Sequence, residues 1–470
     1  MGGDYSKQAF KAGKHYSDVL MQQGKVQLDS DWNEQAAIQN RRKRAQTIDT
    51  IGRAVVPRET ENGFWIISDG GGGLLIHPGR MYVDGLLAEN HGLFYDDSGT
   101  AYAKVFDAAL DEEKTAEPVP YAQQPYLIFG IGDEVLPPAP YLVYLDVWQR
   151  EVTYLKDTGI IEKAVGIDTT TRMQTVWQVR TKAITSTGDP ECWETLSEWD
   201  SEILPSAGRL TTDTVPVNPS ENPCLIPPGG GYRGLENRLY RVEVHQGGPL
   251  GTATFKWARH NGSVATPVTH IDGTELTVVQ TQWDEFRRFE VGDWVEITDN
   301  KLEFAGLPGE MAKVDHVDYA ANTITLTGGL SGDFPTSGID KATDPTRHTR
   351  IRKWDQSGVI RDTTGAVVTN LASSTDGLID VQASTISVVL EDGITVNFDL
   401  EPGGGEFKVG DFWLFAARTE DASVEILDKA PPEGIHHHYA RLAIVTATTI
   451  EDCRIHWPPE LKDQDRKSVV

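Results

Sequence analysis

The residues that come closest to a chemical site are three consecutive histidines near the carboxyl end of the sequence. His436, His437 and His438 precede the apolar run YARLAIV. If this segment forms a strand, His436 and His438 project to one face and His437 to the other, so two imidazoles could share a metal ion. The sequence does not show that Cys453 or His456 joins them as a third ligand. We therefore predict no metal and no cofactor, keep His436 and His438 as candidate ligands, and favour histidines that bond backbone or carboxylate groups at a strand end.

Patterns typical of catalysis are missing from the sequence. The glycine runs at 70–73, 229–231 and 403–405 lack the GxxxxGK[ST] spacing that cradles phosphates. There is no GxSxG motif, and no serine or cysteine belongs to a nucleophile signature. With 70 acidic residues, pairs of carboxylates arise by chance and do not indicate a glycosidase. We expect no catalytic residues and a protein that is not an enzyme.

The charge balance argues against binding to nucleic acids or membranes, and the cysteines argue against disulfide bonds. The 43 lysines and arginines against 70 acidic residues give a net charge of −27, which repels nucleic acids and anionic membranes. No apolar run approaches a membrane span, and the amino-terminal residues lack the apolar core of a signal peptide. We expect cytoplasmic synthesis, no nucleic-acid binding and no membrane insertion. Cys192, Cys224 and Cys453 are an odd number without a CxxC pair, so we expect reduced thiols.

The local patterns predict a mainly β protein. Residues 31–51 contain good helix formers without proline and precede Gly52, which predicts a helix that ends there. After residue 57, short runs rich in branched and aromatic residues alternate with turn formers, which predicts strands. We expect an N-terminal helical segment followed by two or three small β-sandwich or barrel-like units. The predicted divisions are a helical attachment segment (1–56), a first β domain (57–187), a connector rich in proline and glycine (188–231), a second β domain (232–345) and a C-terminal β domain (346–470).

Two copies of one short motif predict the same turn at two places. The sequences FEVGD and FKVGD end at Asp293 and Asp411, and each leads into an aromatic-bearing apolar strand. Gly292 and Gly410 permit a positive φ, and each aspartate can accept a hydrogen bond from a nearby backbone amide. Two related β units and convergence on one useful turn remain open as explanations.

The predicted N-terminal helix has too thin an apolar stripe to be stable on its own. Most helical stability in proteins comes from packing, so this helix needs a surface to lie on. A partner protein is one such surface and the β units of the same chain are the other. The run RRKR at 41–44 suits an acidic partner, or it simply solvates the helix. The interface candidates are Tyr16, Gln22, Gln23, Trp32, Arg41, Arg42 and Arg44.

A set of motifs along nearly the whole chain resembles a known family. Residues 14–35, KHYSDVLMQQGKVQLDSDWNEQ, resemble the opening signature of bacterial proteins encoded with contractile, phage-tail-like injection systems. The resemblance continues through IHPGRMYVDG at 76–85, YLDVWQR at 144–150, PGGGYRGLEN at 228–237 and VGDFW at 409–413. The segment PGRMYVDG is also similar to segments of phage baseplate and tail-fibre proteins.

The resemblance implies a structural or attachment role on an injection particle, at or near its baseplate. It implies other particle proteins as partners, a homo-oligomer that is a trimer or a six-fold ring, and a place in an assembled particle that can leave the cell. It carries no catalytic residues. Ala440 stands where the resemblance leads us to expect a cysteine, which weakens a shared metal site. A fibre component that binds carbohydrate or a cell surface is the alternative, and a hydrolase comes third.

Overall fold

Strands dominate the structure, so the prediction of a mainly β fold is confirmed. A computed structural model describes residues 2–7, 10–95, 101–102, 117–127, 135–185, 190–215, 231–284, 287–331, 334 and 347–459. The α-helices in these ranges are α1 (Asp29–Ile51), α2 (Ser197–Glu202) and α3 (Asn300–Ala305). The 3-10 helices there are Ala12–Lys14, Arg58–Thr60, Tyr121–Gln123, Thr158–Ile160 and His260–Gly262. None of these helices is long and apolar enough to cross a membrane.

The first β unit is built from both ends of the chain. Its central sheet has the order Arg172–Ala183, Tyr141–Val152, His437–Val445, Ile450–Asp452. A second sheet has the order His456–Trp457, Ala54–Pro57, Gly79–Val83, Leu86–Asn90, and a third has the order Ile66–Ser68, Leu74–Ile76, Val119–Pro120. Two short hairpins, Ile161–Glu162 with Ile167–Asp168 and Phe94–Tyr95 with Ala101–Tyr102, complete the list. Apolar side chains from all three larger sheets meet in one core, which includes Val56, Ile76 and Val147.

The second unit is a sandwich of two five-stranded sheets. One sheet has the order Gly208–Thr214, Ile394–Leu400, Val388–Val389, Val359–Asp362, Val367–Asn370. The other has the order Ile379–Asp380, Thr254–Ala258, Arg238–Gln246, Phe412–Arg418, Ser423–Val424. Large side chains from both sheets, including Phe398 and Trp413, form the core between them.

The third unit is a closed six-stranded barrel inserted into the sandwich. Its strands close in the order Ala265–Asp272, Glu275–Val278, Thr323–Leu326, Glu310–Asp318, Trp294–Thr298, Arg350–Trp354. Alternate residues of each strand point inward, so Val295, Ile297 and Ile351 fill the barrel while their sequence neighbours point out.

The chain visits these units in a nested order, which differs from the linear divisions 232–345 and 346–470. It passes from the first unit to the sandwich, through the barrel, and back to the sandwich and the first unit. Strand pairing over long sequence separations produces this order, and no local pattern encodes it. In the predicted connector, residues 188–189 and 216–230 lie outside the described residues. The rest contains α2 and a sandwich strand.

The repeated motif forms the predicted turn in both places. Gly292 and Gly410 have φ values of +93° and +81°. Asp293 and Asp411 each accept a hydrogen bond from the amide three residues earlier, at 2.8 and 2.7 Å. The first turn leads into the barrel and the second into the sandwich, so one local solution serves two architectures.

Two of the cysteines correct the expectation of reduced thiols. Cys192 and Cys453 form a disulfide with their Cα atoms 5.2 Å apart, across 261 residues of sequence. Both are buried in a small core that also contains Trp199 and Ile444. The pairing depends on the strand His437–Val445 lying in the central sheet, which the cysteine spacing cannot reveal.

We expect one free thiol per chain when the protein is denatured without reductant, because Cys192 and Cys453 are paired and Cys224 is the third cysteine. Reduction before denaturation should raise the number to three. A thiol assay measures both values. Three thiols without reductant would contradict the disulfide.

Asp411 should make the stability of the sandwich depend on pH. Burial raises its pKa to about 6, although Ser206 and the Lys408 amide donate hydrogen bonds to it. Between the unfolded value near pH 4 and the folded value, the folded state binds more protons, so stability falls as pH rises. Relative to Asp411→Asn, the wild-type free energy of unfolding should fall by up to about 1.4 kcal/mol per pH unit in this window and then level off.

Urea unfolding at pH 4, 5, 6 and 7 checks this expectation. The matched control is Asp380→Asn, which replaces an exposed aspartate of the same sandwich. Parallel pH profiles for the wild type and Asp411→Asn would refute it.

Candidate functional site

Residues 10–51, called the arm below, stand out because almost all of their side chains reach solvent. Within the arm, α1 begins at Asp29, where the Asp31 carboxylate accepts a hydrogen bond from the Leu28 amide at 3.0 Å. It ends at Ile51, and the amide of Gly52 bonds the carbonyl of Ile48 at 3.0 Å. The predicted helix is therefore confirmed with two further residues at its start.

The segment before α1 runs back along the helix. The Val19 amide donates to Gln35 Oε1 at 2.6 Å, and Gln39 Nε2 donates to Asp18 Oδ1 at 3.2 Å. These contacts are polar, and Ile38 is the one buried residue of α1. The arm therefore holds its shape with few apolar contacts.

The arm exposes a concentration of apolar side chains. Leu20 and Val26 are each 85% exposed and Trp32 is 68% exposed. The other large apolar residues exposed on the arm are Tyr16, Met21 and Leu28. Of the interface candidates, Tyr16, Gln22, Gln23 and Trp32 all reach solvent. Isolated exposed apolar residues are ordinary, but six on one short segment form an unusual concentration.

The basic run of the arm divides into two parts. Arg41 and Arg42 are exposed. Arg44 instead contacts the first β unit: its Nε donates to the Asp84 carbonyl at 2.6 Å, and its Nη2 lies 2.9 Å from His438 Nε2. Arg44 thus ties the arm to the first β unit, whereas Arg42 Nη1 donates to the Ser17 carbonyl within the arm at 3.5 Å.

Gly3 and Lys7, which precede the arm, form a second set of contacts with the β units. The sequence alone did not predict these contacts. Glu151 accepts a hydrogen bond from the Gly3 amide at 2.8 Å, and the side chain of Asn261 donates to the Gly3 carbonyl at 3.1 Å. Lys7 forms an ion pair with Glu425 at 3.1 Å. A side chain at Gly3 would place its Cβ 2.7 Å from the Thr171 methyl group and 2.8 Å from Glu151 Oε1, so these side chains would have to shift. These contacts join the start of the chain to the first β unit and the sandwich.

Two of the three histidines, His437 and His438, contact neighbouring side chains of the same chain. His437 Nδ1 lies 2.8 Å from Asp146 Oδ1, and its ring stacks on Trp148 at 4.8 Å. His438 lies beside Asp84, with Nδ1 3.0 Å from Oδ2, and this hydrogen bond holds the pKa of Asp84 below its usual range.

The surroundings of His438 limit metal binding. Both nitrogens of this ring contact protein groups, while His436 is exposed. Within the described residues, no group of three or more histidine, cysteine, aspartate or glutamate side chains is arranged to hold a metal. The arrangement Arg44–His438–Asp84 acts as a latch between arm and body. Arg44 and His438 were singled out separately from the sequence. The sequence contained no indication that the two residues are in contact.

Arg44→Met should loosen the arm and leave the β units folded. The variant removes two hydrogen bonds from a charged donor, worth about 1.5 kcal/mol each, so the arm should open about a hundredfold more often. Limited proteolysis measures cleavage within the arm, and the melting temperature reports on the body. Arg41→Met is the matched control, because Arg41 is exposed on the same helix. Equal cleavage rates for the two variants would show that the latch does not hold the arm.

Comparison with known proteins places these features in a family. No curated protein matches the sequence. Residues 1–189 and 203–463 match a family of unknown function, DUF6519. The match covers the arm, most of the first β unit, the sandwich and the barrel. The chain therefore belongs to the DUF6519 family.

Proposed function

We propose that this protein is a structural component of a contractile, phage-tail-like injection particle, associated with its baseplate or a fibre. It acts by protein–protein assembly and not by catalysis, and the arm is its attachment element. The observation that carries the proposal is the apolar surface of the arm, where Leu20, Val26 and Trp32 lie largely in solvent.

The composition of the arm fits a protein interface. Tryptophan, tyrosine and arginine are the residue types that most often dominate binding energy, and the arm exposes Tyr16, Trp32, Arg41 and Arg42. The segment that resembles injection-system proteins, residues 14–35, falls on the same surface. A signature located on exposed residues is better explained by binding than by packing of this chain's own core.

The charges of the arm and the body are complementary. Residues 10–51 carry seven basic and five acidic side chains, a net charge of +2, so the rest of the chain carries −29. A basic arm is attracted to an acidic surface, and the body of a second copy of this chain offers one. This complementarity supports a homo-oligomer, which we propose to be a trimer or a six-fold ring, alongside contacts with other particle proteins.

Incorporation into particles tests the role of the arm. The double variant Leu20→Asp/Trp32→Ala should reduce the amount of protein in purified particles at least tenfold. The reason is that a charge would replace an apolar contact that the proposed interface buries. The matched control is Leu235→Asp, since Leu235 is 95% exposed and lies outside the arm. Quantitative mass spectrometry of particles gives the stoichiometry, and light scattering gives the oligomeric state of the free protein.

The outcomes separate the candidate functions. Normal incorporation of the arm variant would overturn the proposal. Glycan binding by the wild type without stoichiometric presence in particles would favour the alternative of a surface-binding fibre component.

A further inference from the structure

The three β units meet at a cavity whose walls carry many buried charges. The cavity has a volume of about 320 Å³. The first unit contributes Arg150, the sandwich contributes Arg241 and the barrel contributes Arg350 and Arg352. Ligand sites form preferentially at such junctions between units.

Strand alternation explains how charges come to line this junction. Ile351 points into the barrel core. Its neighbours Arg350 and Arg352 therefore share the opposite face of the strand, which is turned towards the cavity. On the facing sandwich strand, Val242 and Val244 enter the core, and Arg241 and Glu243 occupy the opposite face. Each unit thus buries its apolar face within itself and turns a charged face towards the cavity.

One charge cluster surrounds Glu303, which lies within α3. Lys156 Nζ donates to its carboxylate at 2.7 Å, Arg150 Nη1 lies 3.4 Å away, and Arg350 donates to the second oxygen. Burial alone would raise the pKa of Glu303, but these cations hold it well below its usual range. Burial lowers the pKa of Lys156 to about 7, against the attraction of Glu303. Three cations share one carboxylate here.

A second cluster surrounds Glu243 and Glu296. Lys256 Nζ lies 2.5 Å from Glu296 Oε1 and 3.4 Å from Glu243 Oε1. Arg241 Nε donates to Glu243 Oε2 at 2.7 Å, and Arg352 Nη1 lies 3.5 Å from the same oxygen. Three cations therefore share two carboxylates.

The cavity consequently has more positive charge than its carboxylates balance. Seven lysine and arginine side chains and five glutamates line it, which gives an excess of two positive charges when Lys156 is protonated, in a protein whose net charge is −27. Isolated buried charge is costly, and a second ion of opposite sign reduces that cost.

Two of the arginines also retain unused donors. Arg350 is 1% exposed and Arg352 is 4% exposed. Within the described residues, Nε of Arg350 and Nε of Arg352 lack a hydrogen-bond acceptor, and Nη1 of Arg352 has the ion pair with Glu243 at 3.5 Å but no hydrogen bond. A buried donor without an acceptor costs about 1–3 kcal/mol, so a ligand that accepts hydrogen bonds here would remove that cost.

We propose that this cavity binds a small multivalent oxyanion, a phosphate or a small polycarboxylate, between Arg350 and Arg352. The planar guanidinium group presents paired N–H donors that match the oxygens of carboxylate and phosphate groups. The bound anion supplies the missing acceptors and balances the excess positive charge. Because its neighbours come from all three β units, it also strengthens their junction. Lys156 supports this assignment, since a nearby anion favours the charged form of a lysine whose pKa is about 7.

Calorimetric titration of the full-length protein with inorganic phosphate and with citrate tests the proposal. Ionic strength is held constant with sodium chloride, so that general screening does not produce the signal. We expect saturable binding of at least one of the two anions. A tenfold preference for phosphate identifies a phosphate site, a tenfold preference for citrate identifies a polycarboxylate site, and equal affinities identify a site for either.

Arg352→Lys keeps the charge and removes the fork of donors, so it should weaken binding at least tenfold. Arg350→Lys should act in the same way and replaces it if Arg352→Lys does not fold. The matched control, Arg361→Lys, changes an exposed arginine of the sandwich and should bind as the wild type does. Absence of saturable binding for both anions, or unchanged affinity in the two cavity variants, would overturn the proposal. These variants leave the arm intact, so failure here is distinct from failure of the assembly role.

Discussion

The pairing of Tyr141–Val152 with two other strands is the interaction on which the rest of the structure depends. Twelve residues of this strand pair with Arg172–Ala183, and its other edge pairs with His437–Val445. The second pairing brings the C-terminal part of the chain back to the first unit. It thereby closes the path through the sandwich and the barrel, and it places Cys453 beside Cys192. Apolar side chains on both faces of the strand are buried, and each contributes about 1.5–3 kcal/mol.

The nested path also explains why polar groups are found deep in the molecule. Three units, each with its own apolar core, can join only through their outer faces, and these faces carry charges. Local ion pairs at the junction, such as Arg241 with Glu243 and Lys156 with Glu303, balance many of these charges. Such pairs offset the cost of desolvation without adding much stability, which leaves the units distinct.

The arm follows the opposite rule, because it is held by a few polar contacts and leaves its apolar side chains outside. Arg44 and the residues around Gly3 fix its ends to the body, while Leu20, Val26 and Trp32 stay exposed. A segment held this way has a defined position, so binding through the proposed interface would cost little conformational entropy. The family match includes these residues, since it begins at residue 1.

The sequence by itself determined the features that depend on neighbours along the chain. The helix ending at Gly52, the turns at Gly292 and Gly410 and the mainly β character all follow from local preferences, and the structure has them. The thin apolar stripe of α1 predicted that this helix needs a surface to lie on, a partner or the β units of the same chain, and it does not say which. These properties need only a few consecutive residues, so they can be read without knowing the fold.

Tertiary structure alone decided which distant residues meet. The disulfide between Cys192 and Cys453, the contact of Arg44 with His438 and the charged cavity all join segments that are hundreds of residues apart. The nested order of the units also depends on contacts between distant segments. Each depends on strand partners and register, which are selected by the burial of whole sheet faces and not by any local pattern.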